Sequence, residues 1–270
     1  KMPDYIQKVI KDLHSESEEI KSTKLKLFIK LGVFSLKFFN RVVPLSPQLQ
    51  KDCQNLGIPK QKLAYIQNGV DLKEVEQYRQ KNTKIPKNNN DEKTIGYIGQ
   101  MIPGKNIDHI LNIFEELCKK HNHLKLQLLG DGKSREALEI QAKNLSQANK
   151  IEFLGFRKDR LEKLSRFDLF VMTSSSEGIP RCLMEAMAMG VPISAYDIPG
   201  IDQLLINEET GLSAPYGDQR LLQQQWEKLL FEQEYAHKIA ANGRDFILKN
   251  FAASRMSEEY YNLFKEILDS

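Results

Sequence analysis

The chain has 270 residues with a formal net charge of +3, and 41% of its residues are hydrophobic. This composition is typical of a globular protein, and it excludes the strongly basic field that nucleic-acid binding requires. The sequence predicts neither a signal peptide nor a membrane-spanning helix, because it lacks apolar runs of the needed length. Three widely separated cysteines, Cys53, Cys118 and Cys182, predict free thiols and a cytoplasmic protein. No cysteine or histidine spacing predicts a metal site.

Near its N-terminus the sequence predicts a helix over residues 24–43, rich in Leu, Phe, Ile and Val. Its basic side chains fall within an arc of about 60° when residues are spaced about 100° apart. These side chains are Lys26, Lys30, Lys37 and Arg41. Two interpretations stay open. The apolar surface packs against other parts of the protein, which we favour, or the helix lies on an anionic membrane surface. The second interpretation would place the protein at the inner face of a membrane.

Residues 44–92 are less regular and are interpreted as a connector. Residues 63–66 are apolar enough for a short strand, and the turn-forming pair Asn68-Gly69 follows them. Residues 83–92 are polar and turn-prone, which predicts an exposed loop.

From residue 93 onward, short apolar runs alternate with segments of helical length. This alternation predicts βαβ units with right-handed crossovers, and therefore an α/β fold with a doubly wound parallel sheet. The predicted strands are residues 94–99, 124–129, 151–155, 169–172, 191–195 and 211–214. Residues 217–270 predict two or three helices without another strand, so extra helices lie on both sides of the sheet region in the sequence.

Glycines and small polar residues follow the predicted strands. They are Gly99, Gly130-Asp131-Gly132, Gly155 and the segment Thr173–Gly178. Ligands of doubly wound sheets bind at the carboxyl ends of the strands, often against helix N-termini. We therefore expect a binding site among these residues.

The strongest single motif runs from Ser176 to Gly190. It predicts a polar turn followed by a helix with Pro180 in its first turn, where a missing N–H costs nothing. The free N–H groups of that turn suit a phosphate, and Glu177 and Glu185 can each accept hydrogen bonds from a vicinal diol. An alternative stays open, in which Glu177 only complements the helix dipole and Glu185 is solvated.

This segment resembles the retaining GT-B glycosyltransferases of group 1 (family 4), whose hallmark is a Glu, seven residues and a second Glu. Glu177 and Glu185 have this spacing. Further family-like motifs follow in order: Val43–Ser46 with Gln67–Asp71, Ile98-Gly99 with Lys105-Asn106, Leu128–Gly132, Phe153–Gly155, Asp168–Val171, Ala188–Ile193, Asp197–Gly200 and Thr210–Leu212. The resemblance covers roughly residues 42–250 and implies the C-terminal, Rossmann-like half of a GT-B fold.

The resemblance also implies a division of the chain. Residues 1–43 would be a helical remnant of an acceptor-side domain, and residues 44–92 the connector. Residues 93–250 would bind the nucleotide-sugar, and residues 251–270 would form a helix that packs back toward the N-terminal part. A complete acceptor-side domain, not contained in the chain, would be a partner.

By this resemblance, Glu177 lies beside the donor sugar, Glu185 holds the ribose, and Lys105 neutralises the diphosphate of the leaving group. Glu177 and Lys105 are the expected catalytic residues. The expected donor-binding residues are Gly99, Gln100, Lys105, Gly130, Gly155, Phe156, Glu177, Gly178, Ile179, Pro180, Arg181 and Glu185. For Lys105 an alternative stays open, namely that it is one of many surface lysines.

The implied activity is transfer of a sugar from a nucleotide-sugar to a glycan or lipid-linked acceptor, with retention at the anomeric carbon. No cofactor, metal or nucleic acid is expected. Two positions depart from the family pattern: Gln100 stands where an arginine is usual, and Gln203 where a glutamate is common. An amide cannot replace a guanidinium's charge on phosphate, although Arg157 or Arg181 could compensate.

These departures favour a second hypothesis, a non-catalytic nucleotide-sugar-binding subunit or a degenerate fragment. A nucleotide-sugar epimerase is a weaker third alternative, because the two-glutamate motif resembles transferases more closely.

Overall fold

The structure, a computed structural model, describes residues 31–81 and 91–269. The chain divides into two compact units. One unit is Gly69–Ser254, and the other contains the described residues 31–68 together with 255–269. The four-part division expected from the sequence stays a prediction.

The helices of the described ranges are short in the connector and longer toward the C-terminus. A helical stretch over residues 31–36 precedes them. The helices are α1 (Pro47–Asn55), α2 (Leu72–Lys81), α3 (Ile107–Cys118), α4 (Arg135–Lys143), α5 (Arg160–Ser165), α6 (Arg181–Met189), α7 (Gln219–Phe231), α8 (Gln233–Asn250) and α9 (Ala253–Leu268).

The unit Gly69–Ser254 is built on a six-stranded parallel sheet. Its strands are β1 (Lys93–Ile98), β2 (Leu124–Leu129), β3 (Ile151–Gly155), β4 (Leu169–Met172), β5 (Ile193–Asp197) and β6 (Leu212–Pro215). Their spatial order is β3-β2-β1-β4-β5-β6, and every pairing is parallel. The strand order reverses between β1 and β4, so the loops after these two strands diverge and leave a crevice at the carboxyl edge.

Apolar helix faces cover the sheet and form one large core. In α3 the buried residues recur every three or four positions, as an amphipathic helix on a sheet requires. They include Ile107, Ile110, Leu111 and Phe114, each at most 2% exposed. In β1, Gly96 faces the ring of Phe167 so closely that a Cβ would lie 1.9 Å from it, so glycine allows this tight packing.

The predicted doubly wound parallel sheet is confirmed, with each strand placed within two residues of its expected bounds. Three helices after β6 agree with the prediction for residues 217–270. The strand predicted at residues 63–66 is wrong, because Leu63 forms only an isolated bridge with Val42. The helix predicted over residues 24–43 ends at residue 36 within the described part.

The second unit has a small core of its own, formed by Leu36, Val42, Cys53 and Ile58. The opposite face of the segment 31–39 stays exposed: Leu31, Phe34, Phe38 and Phe39 are 45–72% exposed. Lys26 and Lys30, part of the expected basic stripe, lie outside the described residues. None of the described helices combines the length and apolarity that crossing a membrane demands.

Candidate active site

The crevice at the carboxyl edge of the sheet brings together two residues that are 72 positions apart, Lys105 and Glu177. Lys105 ends a short 3-10 turn after β1, and Glu177 lies in the loop after β4. Their side chains form an ion pair and are only 11% and 9% exposed. The same Glu177 oxygen, Oε1, accepts a hydrogen bond of 2.6 Å from the buried hydroxyl of Ser174. Lys105 and Ser174 therefore both hold the carboxylate of Glu177 in place.

The backbone around Lys105 is anchored by the loop after β4. The hydroxyl of Thr173 donates to the carbonyl oxygens of Lys105 and Asn106, at 2.9 and 2.8 Å. Asn106 has a left-handed φ of 46°, and its Nδ2 donates to the carbonyl of Thr173 at 3.0 Å. These reciprocal hydrogen bonds fix the backbone of Lys105, so its side chain needs little further ordering when a ligand binds.

Helix α6 begins directly beside the ion pair. Pro180 is its N-cap, and its side chain accepts no hydrogen bond from the first N–H groups of the helix, which also have no intrahelical partner. Gly178 is exposed, and a Cβ placed on it would meet no atom within 4 Å. The loop therefore leaves open space at a helix N-terminus, where an anion is electrostatically favoured.

Close backbone packing explains several glycines of this edge. A Cβ on Gly200 would lie 1.7 Å from the carbonyl oxygen of Gly178, and one on Gly130 would lie 1.8 Å from that of Gly99. The N–H groups of Gly99 and Gly130 donate to the carbonyls of Leu129 and Gly155, at 2.9 and 2.8 Å. These glycines thus shape the loops that line the crevice.

Glu185 lies just over one turn into α6 and is only 2% exposed. Arg160 donates two hydrogen bonds to its carboxylate, from Nε to Oε2 at 3.1 Å and from Nη2 to Oε1 at 2.8 Å. Arg181 adds a bond from its Nε to Oε1 at 2.9 Å. The hydrogen bonds and charge of Glu185 raise the pKa of Arg160 above its usual value. The carboxylate is therefore compensated by two guanidinium groups.

The remaining predicted residues lie around this centre. Gln100, two residues after β1, is exposed. Arg157 is held by both oxygens of Asp159, at 2.7 and 2.6 Å. Phe156 is 81% exposed just after β3, and Gly155 has a left-handed φ of 66°. The aromatic ring of Phe156 is thus presented to solvent at the β3 end of the edge.

Burial decides two of the alternatives that the sequence left open. Glu185 is not solvated, and Lys105 is only 9% exposed, so it is no ordinary surface lysine. His109 contacts the hydroxyl of buried Tyr196 at 2.9 Å. Within residues 31–81 and 91–269, no three His, Cys, Asp or Glu side chains are grouped to hold a metal ion; a metal-free reaction stays a prediction.

Sequence reasoning missed Arg160, which contacts Glu185, and it placed Thr173 and Ser174 in the expected site segment without assigning a contact to either. Arg160 is the first residue of α5 and comes from a separate βα unit. Its sequence position gives no signal that it reaches Glu185. Ser174 and Thr173 had one signal, their place at the end of a predicted strand facing the site.

Comparison with known proteins decides the family. The family model described as glycosyl transferases group 1 matches residues 78–246. The chain belongs to this family. The match contains β1 to β6 together with Lys105, Glu177 and Glu185, so the candidate active site lies within the family domain.

Two relatives illustrate the similarity in sequence. An uncharacterized glycosyltransferase of Haemophilus influenzae is 32% identical over 48% of this chain and 38% of its own length. The N-acetyl-alpha-D-glucosaminyl L-malate synthase of Bacillus anthracis is 24% identical over 87% of this chain and 62% of its own length. The chain spans less than two thirds of the length of either relative.

Solved structures share the fold. Sucrose-phosphate synthase from Thermosynechococcus elongatus has a TM-score of 0.79 at 21% identity, covering 97% of this chain and 66% of that one. S. aureus TarM in complex with Fondaparinux, alpha-GlcNAc-glycerol and UDP has a TM-score of 0.75 at 22% identity, covering 89% and 46%. Anabaena HepE in complex with UDP-glucose has a TM-score of 0.74 at 20% identity, covering 87% and 67%. The chain therefore has the Rossmann-like fold of GT-B glycosyltransferases.

Proposed function

We propose that this chain supplies the donor site of a retaining glycosyltransferase, which moves a sugar from a nucleotide-sugar to a glycan or lipid-linked acceptor. The observation that carries the proposal is the buried Lys105–Glu177 pair at the N-terminus of α6, with buried Glu185 in the same helix. A cation, an anion and free helix N–H groups are what a sugar diphosphate needs at one place. UDP and UDP-glucose bound to solved proteins of the same fold support this choice of ligand.

In the proposed complex the diphosphate lies between Lys105 and the N-terminus of α6. Negative charge develops on the leaving diphosphate as the glycosidic bond breaks. A fixed cation and oriented N–H groups stabilise that charge without reorganising, which lowers the barrier. The Thr173 and Asn106 contacts that hold the Lys105 backbone keep the cation in place before the donor arrives.

The donor sugar lies beside Glu177, whose carboxylate accepts hydrogen bonds from sugar hydroxyls. Ser174 occupies one oxygen from the protein side, which orients the carboxylate. Glu185 holds the ribose, and Gly155 and Phe156, at the end of β3, lie beside the base. No covalent nucleophile is assigned, so we propose that the acceptor hydroxyl attacks from the face that the diphosphate leaves.

An acceptor-side domain outside this chain completes the proposed enzyme. The chain covers 46% of TarM and 67% of HepE at the same fold, which supports such a second domain. A lipid-linked acceptor would bring the enzyme to the inner membrane face, and the exposed side chains of residues 31–39 would then be candidates for that contact.

Thermal unfolding of this chain with UDP, GDP, ADP and their glucose conjugates tests donor binding. We expect one nucleotide at about 100 times its dissociation constant to add about 2.7 kcal/mol to the stability. Glu185→Gln should abolish that increment. Glu234→Gln, an exposed glutamate in the first turn of α8, is the matched control and should keep it. A panel without any shift would argue against a donor site.

The stereochemistry needs its own test, because binding does not reveal it. The enzyme with its acceptor-side domain is supplied with an α-linked nucleotide-sugar, and the anomeric configuration of the product is read by proton NMR. Retention predicts an α-linked product. A β-linked product would overturn the retaining mechanism and leave donor binding intact.

The alternative function, a non-catalytic nucleotide-sugar-binding subunit, is favoured by Gln100, where the family usually has an arginine. A protein of this kind would bind the nucleotide in the thermal assay and show no turnover even with the acceptor-side domain present. Turnover that depends on Lys105 would exclude it.

A further inference from the structure

Three charged residues, Arg160, Arg181 and Glu74, lie around the carboxylate of Glu185. Arg160 and Arg181 donate three hydrogen bonds to it. Glu74, in the first turn of α2, lies at the outer side of the cluster. Its Oε2 is 3.6 Å from Nη2 of Arg160 and 3.9 Å from Nη2 of Arg181. Glu74 is 41% exposed, whereas Glu185 is 2% exposed.

The Arg160–Glu185 contact is two-pronged, since two nitrogens of one guanidinium reach two oxygens of one carboxylate. These two parallel hydrogen bonds use one lone pair on each carboxylate oxygen, the two lone pairs that point away from the Glu185 side chain. A vicinal diol that donates to both oxygens of a carboxylate needs the same pair. A ribose and Arg160 therefore cannot both bind Glu185 in this way.

Arg160 can move away only if its own charge and the charge of Glu185 both remain compensated. A buried carboxylate without a partner is strongly destabilising. Here Arg181 keeps its bond to Oε1 of Glu185, and the ribose hydroxyls replace the other two. Arg160 is 28% exposed and already lies near a second carboxylate, that of Glu74. A small rotation of its side chain exchanges one carboxylate for the other.

We infer that Arg160 is an exchangeable cover of Glu185, displaced to Glu74 when the ribose of the nucleotide-sugar binds. Arg160 is then a positioning residue that reduces what the ribose hydroxyls contribute to donor binding, because these hydroxyls must displace it. In the free protein Arg160 occupies the carboxylate that the hydroxyls would bind. After displacement Arg160 stays paired with a carboxylate, that of Glu74. This inference rests on the proposed function, in which Glu185 holds the ribose.

The exchange is tested by comparing nucleotides with and without the diol. Dissociation constants of UDP, GDP and ADP and of their dideoxy analogues, which lack both ribose hydroxyls, are measured by calorimetry on this chain. The quantity compared is the preference for the ribose form over the dideoxy form. Only the ribose form has to displace Arg160, so only its binding depends on the partners of Arg160.

Two substitutions should change this preference in opposite directions. Arg160→Met removes the competitor, and we expect the preference to rise about tenfold, the size of a charge-assisted hydrogen bond. Glu74→Gln removes the second carboxylate, and we expect the preference to fall about threefold, the size of a half-exposed ion pair. Glu76→Gln, on the same helix but paired with Arg244 at 2.8 Å, is the matched control and should change nothing.

A purely structural role of Arg160 predicts something else. If Arg160 only orients Glu185 for the ribose, Arg160→Met lowers the preference, and the exchange is wrong. An unchanged preference in Glu74→Gln also overturns it, and this variant keeps Arg160 on Glu185, so it tests the idea even if Arg160→Met is unstable. Absence of nucleotide binding by the unmodified chain would instead overturn the proposed function, and the exchange with it.

Discussion

Lys105 and Glu177 form a buried ion pair that links the loop after β1 to the loop after β4, across the point where the strand order reverses. The pair places a cation and a carboxylate next to the N-terminus of α6. Each charge is compensated by the other in the free protein, so the site is preformed without a ligand. In the proposed complex, these two charges contact the two chemically different halves of a nucleotide-sugar, the diphosphate and the sugar.

Replacing Lys105 should destabilise the protein as well as weaken donor binding. We expect Lys105→Met to lower the free energy of unfolding by about 3 kcal/mol, because it leaves the Glu177 carboxylate buried without its cation. Adding Glu177→Gln should restore part of this stability and none of the donor affinity. Urea denaturation and calorimetry with nucleotide measure the two effects.

The control for this pair is an exposed one. Lys119 and Glu116 form an ion pair at 2.6 Å with side chains 60% and 53% exposed, so Lys119→Met should leave the stability nearly unchanged. Equal losses in Lys105→Met and Lys119→Met would contradict the importance of burial.

Two glycines of the edge should respond differently to alanine. Gly130 has φ +136° and no room for a Cβ, so Gly130→Ala should lower stability by about 2 kcal/mol or more. Gly178 has open space around it, so Gly178→Ala should keep the stability within about 0.5 kcal/mol. The new methyl group would instead occupy space proposed for the donor and reduce nucleotide affinity. Thermal melts with and without nucleotide separate these outcomes; loss of folding in Gly178→Ala would refute this distinction.

Restoring the arginine of the family should strengthen donor binding. Gln100 is exposed at the crevice, and a guanidinium there adds charge-assisted hydrogen bonds to the diphosphate. We expect Gln100→Arg to tighten nucleoside diphosphate binding about tenfold. Gln224→Arg, which adds the same charge at an exposed position of α7, is the control. An unchanged affinity would mean that another cation, such as Arg181, already provides this charge.

Alkaline pH should reveal the burial of Tyr196. Burial raises the pKa of its hydroxyl from 10.0 to about 12. Above about pH 10 the unfolded chain therefore loses this proton while the folded chain keeps it, and stability falls as the pH rises toward 12. Urea midpoints of the unmodified chain and of Tyr196→Phe at about pH 9 and about pH 11 test this. We expect the unmodified chain to lose more stability than the variant over this interval, and parallel losses would refute it.

The periodicity and spacing of apolar residues were sufficient to predict much of the fold. Each predicted strand of the sheet region is present, because a strand buried on both faces is a short apolar run with turn residues at its ends. The segment 63–66 has the same local character, yet its one bridge pairs Leu63 with Val42. A short apolar run becomes a strand only if a neighbouring strand is available, and that is a tertiary condition.

The family resemblance of the two-glutamate motif and of the residues after the strands implied Lys105, Glu177 and Glu185 as site residues, and their roles stay predictions. The sequence could not decide that Lys105 is buried against Glu177, or that Arg160 covers Glu185 with a second carboxylate, Glu74, nearby. These contacts join separate βα units, and the strand order and packing of helices α2, α5 and α6 bring them together. Local propensity acts over a few residues, whereas the ion pairs of this site form between residues up to 107 positions apart, Glu74 and Arg181.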